Sequence, residues 1–357
     1  MKVLFVGGGT MGSVTPLLAM GDYLKFKQPG IDFFWIGTKD GPERKVVEKN
    51  NIDFKPIYSG KLRRYFSWKN FSDILRIKIG FLQSFLYLAK LKPDIILSAG
   101  GYIAVPVVWA GWFLGIPSII HQQDVKPGLA NKLCAWCASK ITICFSETAA
   151  AFNTKKVKLV GNPVRELVKN LDLKKSRNDL CQKYNLNPGL PVVLVQTGGR
   201  GAMVINDLVL DAIPRLAEFC QVVHITGQHR SNHFIQHKKG YKNYHEFDFL
   251  ADNSEVLNLA WVIISRAGMG TLTEIAYLSK ASVVIPIPNS HQQENARYFK
   301  QKKAACIIEQ SDLDAENLVD NIKRLVNNKD IREKMGFNAH QVIKWGAEEK
   351  IGDLILS

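Results

Sequence analysis

The sequence predicts an α/β fold of two Rossmann-like domains whose parallel sheets face a cleft, and three observations lead to it. Two Gly-rich turns, Gly7-Gly8-Gly9-Thr10-Met11-Gly12 and Gly198-Gly199-Arg200-Gly201, each follow a strand-forming run and each open a helical pattern. Apolar residues alternate between strand and helix periods along both halves, as in a parallel sheet with crossover helices. The 357 residues, 46% of them hydrophobic, exceed one ordinary core and suffice for two. Strand-turn-helix units gather backbone N–H groups where an anion is favoured, so the paired turns predict a diphosphate held between two lobes.

In the first half, the run Val3-Leu4-Phe5-Val6 predicts a strand over 2–6, and Pro16 opens a helix near 16–27. Phe33 to Ile36 predict a strand over 32–36, and Pro42 opens a helix over 42–50. A long helix follows over 74–91, then a strand over 94–98. The stretch 102–120 carries no charge and approaches the length of a transmembrane span. Pro106 in a first helical turn, Gly115 at a helix end and Pro117-Ser118-Ile119-Ile120 as a buried strand argue instead for helix plus strand.

The second half repeats the alternation. Strands are predicted over 192–196, 222–226, 261–265 and 282–285, with helices over 204–219, 271–278 and 293–302. Val160-Gly161-Asn162-Pro163-Val164-Arg165 lies between the halves as a hinge, giving domains 1–162 and 163–337. In such folds ligands sit beyond the carboxyl ends of the strands.

Lys plus Arg outnumber Asp plus Glu by 47 to 32, a net charge of +15, so the surface attracts polyanions or an anionic membrane. The stretch 61–92 holds Lys61, Arg63, Arg64, Lys69, Arg76, Lys78, Lys90 and Lys92 against a lone Asp73. Tyr65, Phe66, Trp68, Phe71, Phe81, Phe85 and Tyr87 interleave with them. Rings at headgroup depth beside cations that reach anionic lipid predict a membrane-surface patch, joined by Trp109, Trp112 and Phe113. The competing reading is an ordinary amphipathic helix with its apolar side in the core. No pattern of a nucleic-acid-binding module is present, so no nucleic acid is expected.

The apolar start is short and runs into glycines, unlike a secretory signal, which predicts a cytoplasmic protein. Of six cysteines only Cys134 and Cys137 form a C-x-x-C, and it lacks the second pair of a zinc site, so buried thiols are expected. The histidines form no ligand set, the run 224–245 reads as polar loop or surface helix, and no metal is expected.

The strongest chemical signal is Ser265-Arg266-Ala267-Gly268-Met269-Gly270-Thr271-Leu272-Thr273-Glu274, directly after an apolar strand. Small residues let a phosphate approach the backbone, and Thr271 can cap the helix or donate to phosphate. Glu274 can accept both hydroxyls of a ribose, or serve as the acid of a capping box begun by Thr271.

Taken together the motifs resemble the MurG family of bacterial glycosyltransferases over nearly the whole chain. The resemblance rests on Gly8-Gly9-Thr10…Gly12…Pro16, Gly100-Gly101-Tyr102, His121-Gln122-Gln123-Asp124…Pro127-Gly128…Asn131 and Gly161-Asn162-Pro163-Val164-Arg165. Further along it rests on Gly198…Gly201-Ala202, Arg266-Ala267-Gly268…Thr271…Glu274 and His291-Gln292-Gln293…Asn295-Ala296. It implies the GT-B fold, a last helix over about 338–356 that returns to the first domain, and inverting transfer of N-acetylglucosamine from UDP-N-acetylglucosamine. The implied acceptor is muramyl-pentapeptide on undecaprenyl pyrophosphate, and the implied location is the cytoplasmic face of the bacterial cell membrane.

Carried over motif by motif, Glu274 binds the ribose and the backbone near Leu250 reads uracil. Arg165, Gly199, Met269, Gly270 and Thr271 surround the diphosphate and sugar, with Gln292 and Gln293 on sugar hydroxyls; Thr10 and Gly12 are expected with them, and Arg200 either adds charge near the diphosphate or is a solvated surface arginine. Gly100, Gly101, Tyr102, Gln123, Asp124 and Asn131 are implied on the acceptor side. Read from the basic and aromatic pattern itself, Arg63, Arg64, Tyr65, Phe66, Trp68, Lys69, Phe71 and Trp112 are the residues expected at the membrane. No cofactor is required, because helix-start N–H groups and positive side chains stabilise the departing UDP.

The chain departs from the family mainly on the acceptor side. Met11 and Ser13 stand where Gly and His are usual in Gly-Gly-Thr-Gly-Gly-His, and Gln122 and Asp124 stand where Glu and Asn are usual in His-Glu-Gln-Asn. Thr197, Gly199 and Arg200 replace Gly, Ser and Gln in the second turn. A serine hydroxyl stays protonated near neutrality, so Ser13 is no general base without a partner, and Asp124 or His121 is expected to take the proton. For His121, anchoring a strand end by hydrogen bonds is the alternative. Three readings stand: the family's reaction with a relocated base, the same donor used on another polyprenyl-linked acceptor, and a non-catalytic protein that binds the sugar nucleotide.

Overall fold

The computed structural model describes residues 1–60, 69–172, 175–198, 201–227, 231–237, 240–250 and 252–356. The chain forms two compact units, Met1–Arg165 with Lys344–Ser357, and Glu166–Ile343.

The first unit is built on β1 (Lys2–Val6), β2 (Asp32–Thr38), β3 (Asp53–Ile57), β4 (Ile95–Ser98), β5 (Ser118–Gln122), β6 (Lys140–Ile143) and β7 (Val157–Leu159). All pair in parallel in the order β3-β2-β1-β4-β5-β6-β7, with Val3 facing Phe33 on one side and Ile95 on the other. The inner strands β4 and β5 are buried at every residue, which is why they read as unbroken apolar runs. Helices α1 (Thr15–Lys27), α2 (Glu43–Lys49), α3 (Lys69–Leu91), α4 (Ala104–Phe113) and α5 (Leu129–Ala135) make the connections.

The second unit carries β8 (Val192–Gln196), β9 (Gln221–Ile225), β10 (Tyr244–Phe247), β11 (Val262–Ser265), β12 (Ala281–Val284) and β13 (Cys306–Ile307), parallel in the order β10-β9-β8-β11-β12-β13. Its helices are α6 (Glu166–Lys169), α7 (Arg177–Lys183), α8 (Met203–Leu216), α9 (Asn232–His237), α10 (Ser254–Leu259), α11 (Met269–Tyr277), α12 (His291–Gln301), α13 (Ala315–Asn327) and α14 (Lys329–Val342). Strand order reverses between β1 and β4 in one sheet and between β8 and β11 in the other. Loops leaving neighbouring strands part company at such a reversal and open a crevice at the carboxyl ends.

A final helix, α15 (Ala347–Leu356), belongs to the first unit. Its Ala347, Ile351 and Ile355 share a core with Leu17, Met20 and Leu24 of α1. Each such Leu or Ile buried contributes about 1.5–3 kcal/mol. A Cβ on Gly352 would come within 2.5 Å of the Tyr23 ring, so glycine sets how closely the two helices approach.

Several expectations need correction. The single helix anticipated over about 338–356 is two, α14 and α15, broken at Ile343–Gly346, where Gly346 has φ +76. The run 224–245 is neither loop nor surface helix throughout. His224 is buried on β9, with Nε2 3.1 Å from Asn206 Oδ1 and Nδ1 3.0 Å from the Tyr244 hydroxyl, and β10 begins at Tyr244. The uncharged stretch 102–120 is α4 and β5, as anticipated; Gly115 sits at φ +73 just past the helix end. Among the described residues no helix is long and apolar enough to cross a membrane.

Candidate active site

In the first unit the site residues gather at the β1/β4 reversal. After β1 the chain passes through Gly7–Gly9 and a single 3-10 turn, Met11–Ser13, before α1 starts with Pro16 in its first turn. Three of the turn's amides are used within the protein. Gly7 donates to the Ile36 carbonyl at 3.3 Å, Gly8 to Ser13 Oγ at 3.1 Å, and Gly9 to Glu43 Oε2 at 3.1 Å. Gly7, Gly8 and Gly9 thus give their amides to the protein's own oxygens. Thr10 and Gly12 are exposed at its rim.

Tyr102 lies over this turn, for a Cβ on Gly9, at φ +80, would sit 2.8 Å from its ring. Gly100 and Gly101 hold φ +93 and +88, which bring the chain past Asn131 and Ser13. Gln123 Nε2 donates to the Gly12 carbonyl at 2.9 Å and more weakly to Ala99 O at 3.3 Å, joining β5 to the turn. Buried Gln122 is spent locally: its amide donates to Asp124 O at 2.8 Å and accepts from Asn131 Nδ2 at 2.6 Å. Asp124 leaves β5 half-buried, beside that crevice.

His121 is not placed to act as a base. Its ring is fully buried, with Nδ1 3.0 Å from Thr142 Oγ1 and Nε2 2.8 Å from Asn162 Oδ1. Desolvation pulls its pKa down to about 4, against a smaller upward pull from Asn162. The expectation of a catalytic His121 gives way to the anchoring role. Ser13 is likewise buried with its hydroxyl tied to the turn, accepting from Gly8 and donating back to the Gly8 or Thr10 carbonyl at 3.5 and 3.4 Å.

In the second unit α11 opens straight from the end of β11. Gly268 is the N-cap, in an extended conformation, and makes no side-chain cap; the first intrahelical bond runs from Leu272 N to Gly268 O. The amides of Met269, Gly270 and Thr271 thus precede the helical ladder at a positive helix end. This settles the two readings of Thr271 and Glu274 against a capping box, since the cap lies three residues before Thr271. Glu274 is buried on the same helix.

Neighbouring loops are tied to this helix start. Arg266 Nη1 donates to the carbonyls of Ile285 and Pro286, both at 3.1 Å, and desolvation pulls its pKa below the ordinary arginine value. Asn295 Nδ2 donates to Ala267 O at 3.1 Å. On α12, Gln292 Oε1 accepts from Ile287 N at 3.2 Å and Gln293 Oε1 from Asn289 N at 2.9 Å. Their carbonyls being used, the NH2 ends are what these glutamines offer a ligand oxygen. Leu250 is half-buried after β10, and Arg165 half-buried at the end of the first unit's main segment. Gly199 and Arg200 lie outside the described residues. Among the described residues no group of three or more His, Cys, Asp or Glu is placed to hold a metal ion.

The expected patch at 61–92 is only partly visible: Arg63, Arg64, Tyr65, Phe66 and Trp68 lie outside the described residues, and Lys69 and Phe71 lie on α3. What is visible combines the two readings: Leu88 lies in the core with Phe81, Phe85, Tyr87 and Leu91 packed against it, yet a second apolar row faces outward. Leu75, Ile79, Leu82 and Leu86, at helical spacing, are exposed, whereas Asp73, Gly80 and Ser84 face inward with Leu88. Phe81 meets Phe113 edge-on at 5.8 Å, and exposed Phe113, Trp112 and Trp136 continue the face, with the two tryptophans 4.8 Å apart. Trp109 is half-buried against Trp136. Trp136 and Glu43 escaped the sequence reading. Trp136 stands beyond the charged stretch, and Glu43 looks like an ordinary first-turn helical acid.

Residues 3–143 match the glycosyltransferase family 28 N-terminal domain, and residues 192–349 its C-terminal domain. The chain is 35% identical to the UDP-N-acetylglucosamine–N-acetylmuramyl-(pentapeptide) pyrophosphoryl-undecaprenol N-acetylglucosamine transferase 3 of Bacillus thuringiensis (strain Al Hakam), covering 92% of each chain. It is 34% identical to the transferase of the same description from Bacillus subtilis (strain 168), over 94% of this chain and 93% of the other. The crystal structure of Acinetobacter baumannii MurG is similar at a TM-score of 0.73 and 25% identity, over 99% of both chains. A Neisseria meningitidis UDP-GlcNAc 2-epimerase bound to UDP-GlcNAc shares the fold alone, with a TM-score of 0.72 at 15% identity over 100% of both.

Proposed function

The chain belongs to glycosyltransferase family 28, and from that premise we propose that it transfers N-acetylglucosamine from UDP-N-acetylglucosamine to the lipid-linked muramyl-pentapeptide of peptidoglycan synthesis. It is an N-acetylglucosaminyltransferase. The observation that carries the donor site is the uncapped start of α11 at the β8/β11 reversal, with Glu274 buried on the same helix.

In this reading the amides of Met269, Gly270 and Thr271 receive the diphosphate, Glu274 accepts both ribose hydroxyls, and the backbone at Leu250 reads the uracil edge. Gln292 and Gln293 donate to sugar oxygens, while Arg165, Gly199, Arg200, Thr10 and Gly12 complete the donor contacts. The acceptor hydroxyl attacks the anomeric carbon from the side opposite UDP, the bond to the diphosphate oxygen breaks, and UDP departs with the electron pair. Helix-start amides stabilise that developing charge, and the hydroxyl proton passes to Asp124. Gly100, Gly101, Tyr102, Gln123 and Asn131 hold the acceptor.

The exposed apolar face of α3 with Trp112, Phe113 and Trp136, flanked by Arg76, Lys78 and Lys132, supports peripheral docking on an anionic membrane surface. Such docking places the acceptor's lipid within reach. A second reading, the same donor used on another polyprenyl-linked acceptor, is favoured by Ser13, whose tied hydroxyl cannot do the work of the family's usual histidine. UDP release assayed with lipid-linked muramyl-pentapeptide and with other polyprenyl-linked sugars decides between the two. Binding of UDP-N-acetylglucosamine with no release on any acceptor would remove both.

A further inference from the structure

We propose that Glu43 is a positioning residue for the acceptor: its buried carboxylate locks the first Gly-rich turn and thereby sets Tyr102 and Ser13. The proposal deepens the transferase reading and rests on it. Glu43 is 0% exposed. One oxygen accepts from Gly9 N at 3.1 Å, and the other accepts from Thr38 N at 2.7 Å and from the Thr38 hydroxyl. No cation pairs with it among the described residues, so neutral donors carry the whole burden of its burial. The socket is lined by glycine, for a Cβ on Gly8 or Gly41 would run into its carboxylate, and one on Gly37 would come 3.2 Å from its Cγ.

This bond has a reach beyond stability. Gly9 is where the Tyr102 ring rests, and Gly101, one residue before Tyr102, would place a Cβ 3.3 Å from Gly8 O and 3.4 Å from Ser13 Oγ. Gly8, Gly9, Ser13 and Tyr102 are therefore packed together, and the carboxylate of Glu43 is the peg that fixes this group to β2.

The test is steady-state kinetics on E43Q, which keeps the shape but turns one acceptor oxygen into a donor facing a donor. Losing a charge-assisted bond of this kind is worth about a tenfold effect. The acceptor KM is expected to rise about tenfold, while the UDP-N-acetylglucosamine dissociation constant by calorimetry stays within about twofold. An unchanged acceptor KM in folded E43Q, or a donor constant that moves as far as the acceptor's, overturns the proposal. Should E43Q fail to fold, T38V, which removes only the hydroxyl donor, decides: a rise of about threefold in acceptor KM alone supports it and no change overturns it. A wild-type chain that releases no UDP with any acceptor removes the transferase reading and this one together; an active wild type with unaffected variants removes this one alone.

Discussion

His121 Nε2 lies 2.8 Å from Asn162 Oδ1, joining the end of β5 to the segment that follows β7. With the Asn162 oxygen accepting, Nε2 carries the proton and Nδ1 accepts from the Thr142 hydroxyl 3.0 Å away. Both nitrogens are occupied in a ring sealed from water, so the neutral form is built into the fold.

That ring predicts an acid-sensitive stability. Its pKa falls from 6.5 when solvated to about 4 when folded, so the unfolded chain binds the extra proton first as pH drops. The contribution is whole above pH 6.5, declines as pH falls towards 4, and amounts to about 3 kcal/mol in all. Urea titrations across that window should show the loss, and H121N should flatten it. An H121N chain with the same pH slope as wild type refutes the assignment.

Asp124→Asn is expected to lower kcat by about 100-fold or more while leaving UDP-N-acetylglucosamine affinity unaltered, because only proton transfer is lost. Single-turnover assays over pH separate the two terms. Full turnover in D124N assigns the base elsewhere.

Glu274→Gln is expected to weaken UDP-N-acetylglucosamine binding by about 10- to 100-fold, since a carboxylate that accepts two hydroxyls becomes an amide that accepts with one oxygen. The donor lacking its 2′-hydroxyl should bind wild type more weakly yet scarcely distinguish wild type from variant. Equal discrimination of the two donors by both proteins would place the ribose elsewhere.

Replacing Trp112, Phe113 and Trp136 together by serine should reduce partitioning onto vesicles containing anionic lipid by about tenfold, and raising the salt concentration should weaken what binding is left. Unchanged flotation would show that this face does not meet the bilayer. Turnover of a soluble acceptor should be unaffected.

Much of this molecule is legible in its residues, and the exceptions have physical reasons. Val192–Gln196 and Ile95–Ser98 announce themselves because central parallel strands must be apolar on both faces. Tyr-His-Glu-Phe at 244–247 does not, because it is a half-exposed edge strand whose histidine and glutamate look like loop. The motif Gly268 to Glu274 was readable as a phosphate approach, yet whether Thr271 capped the helix depended on where the helix began, a one-turn question that periodicity cannot resolve. Glu43 was invisible as anything but a helical acid, since its role comes from Thr38 and Gly9, brought to it by tertiary folding.

The return of α15 to α1 has a consequence for biosynthesis. Ala347, Ile351 and Ile355 follow all of the second unit along the chain, so the contact they make with Leu17, Met20 and Leu24 of the first unit can form only after residues 166–343 have been made. The first unit is sealed only after the second has been made, and a nascent chain stalled short of residue 347 would offer chaperones an apolar seam along α1.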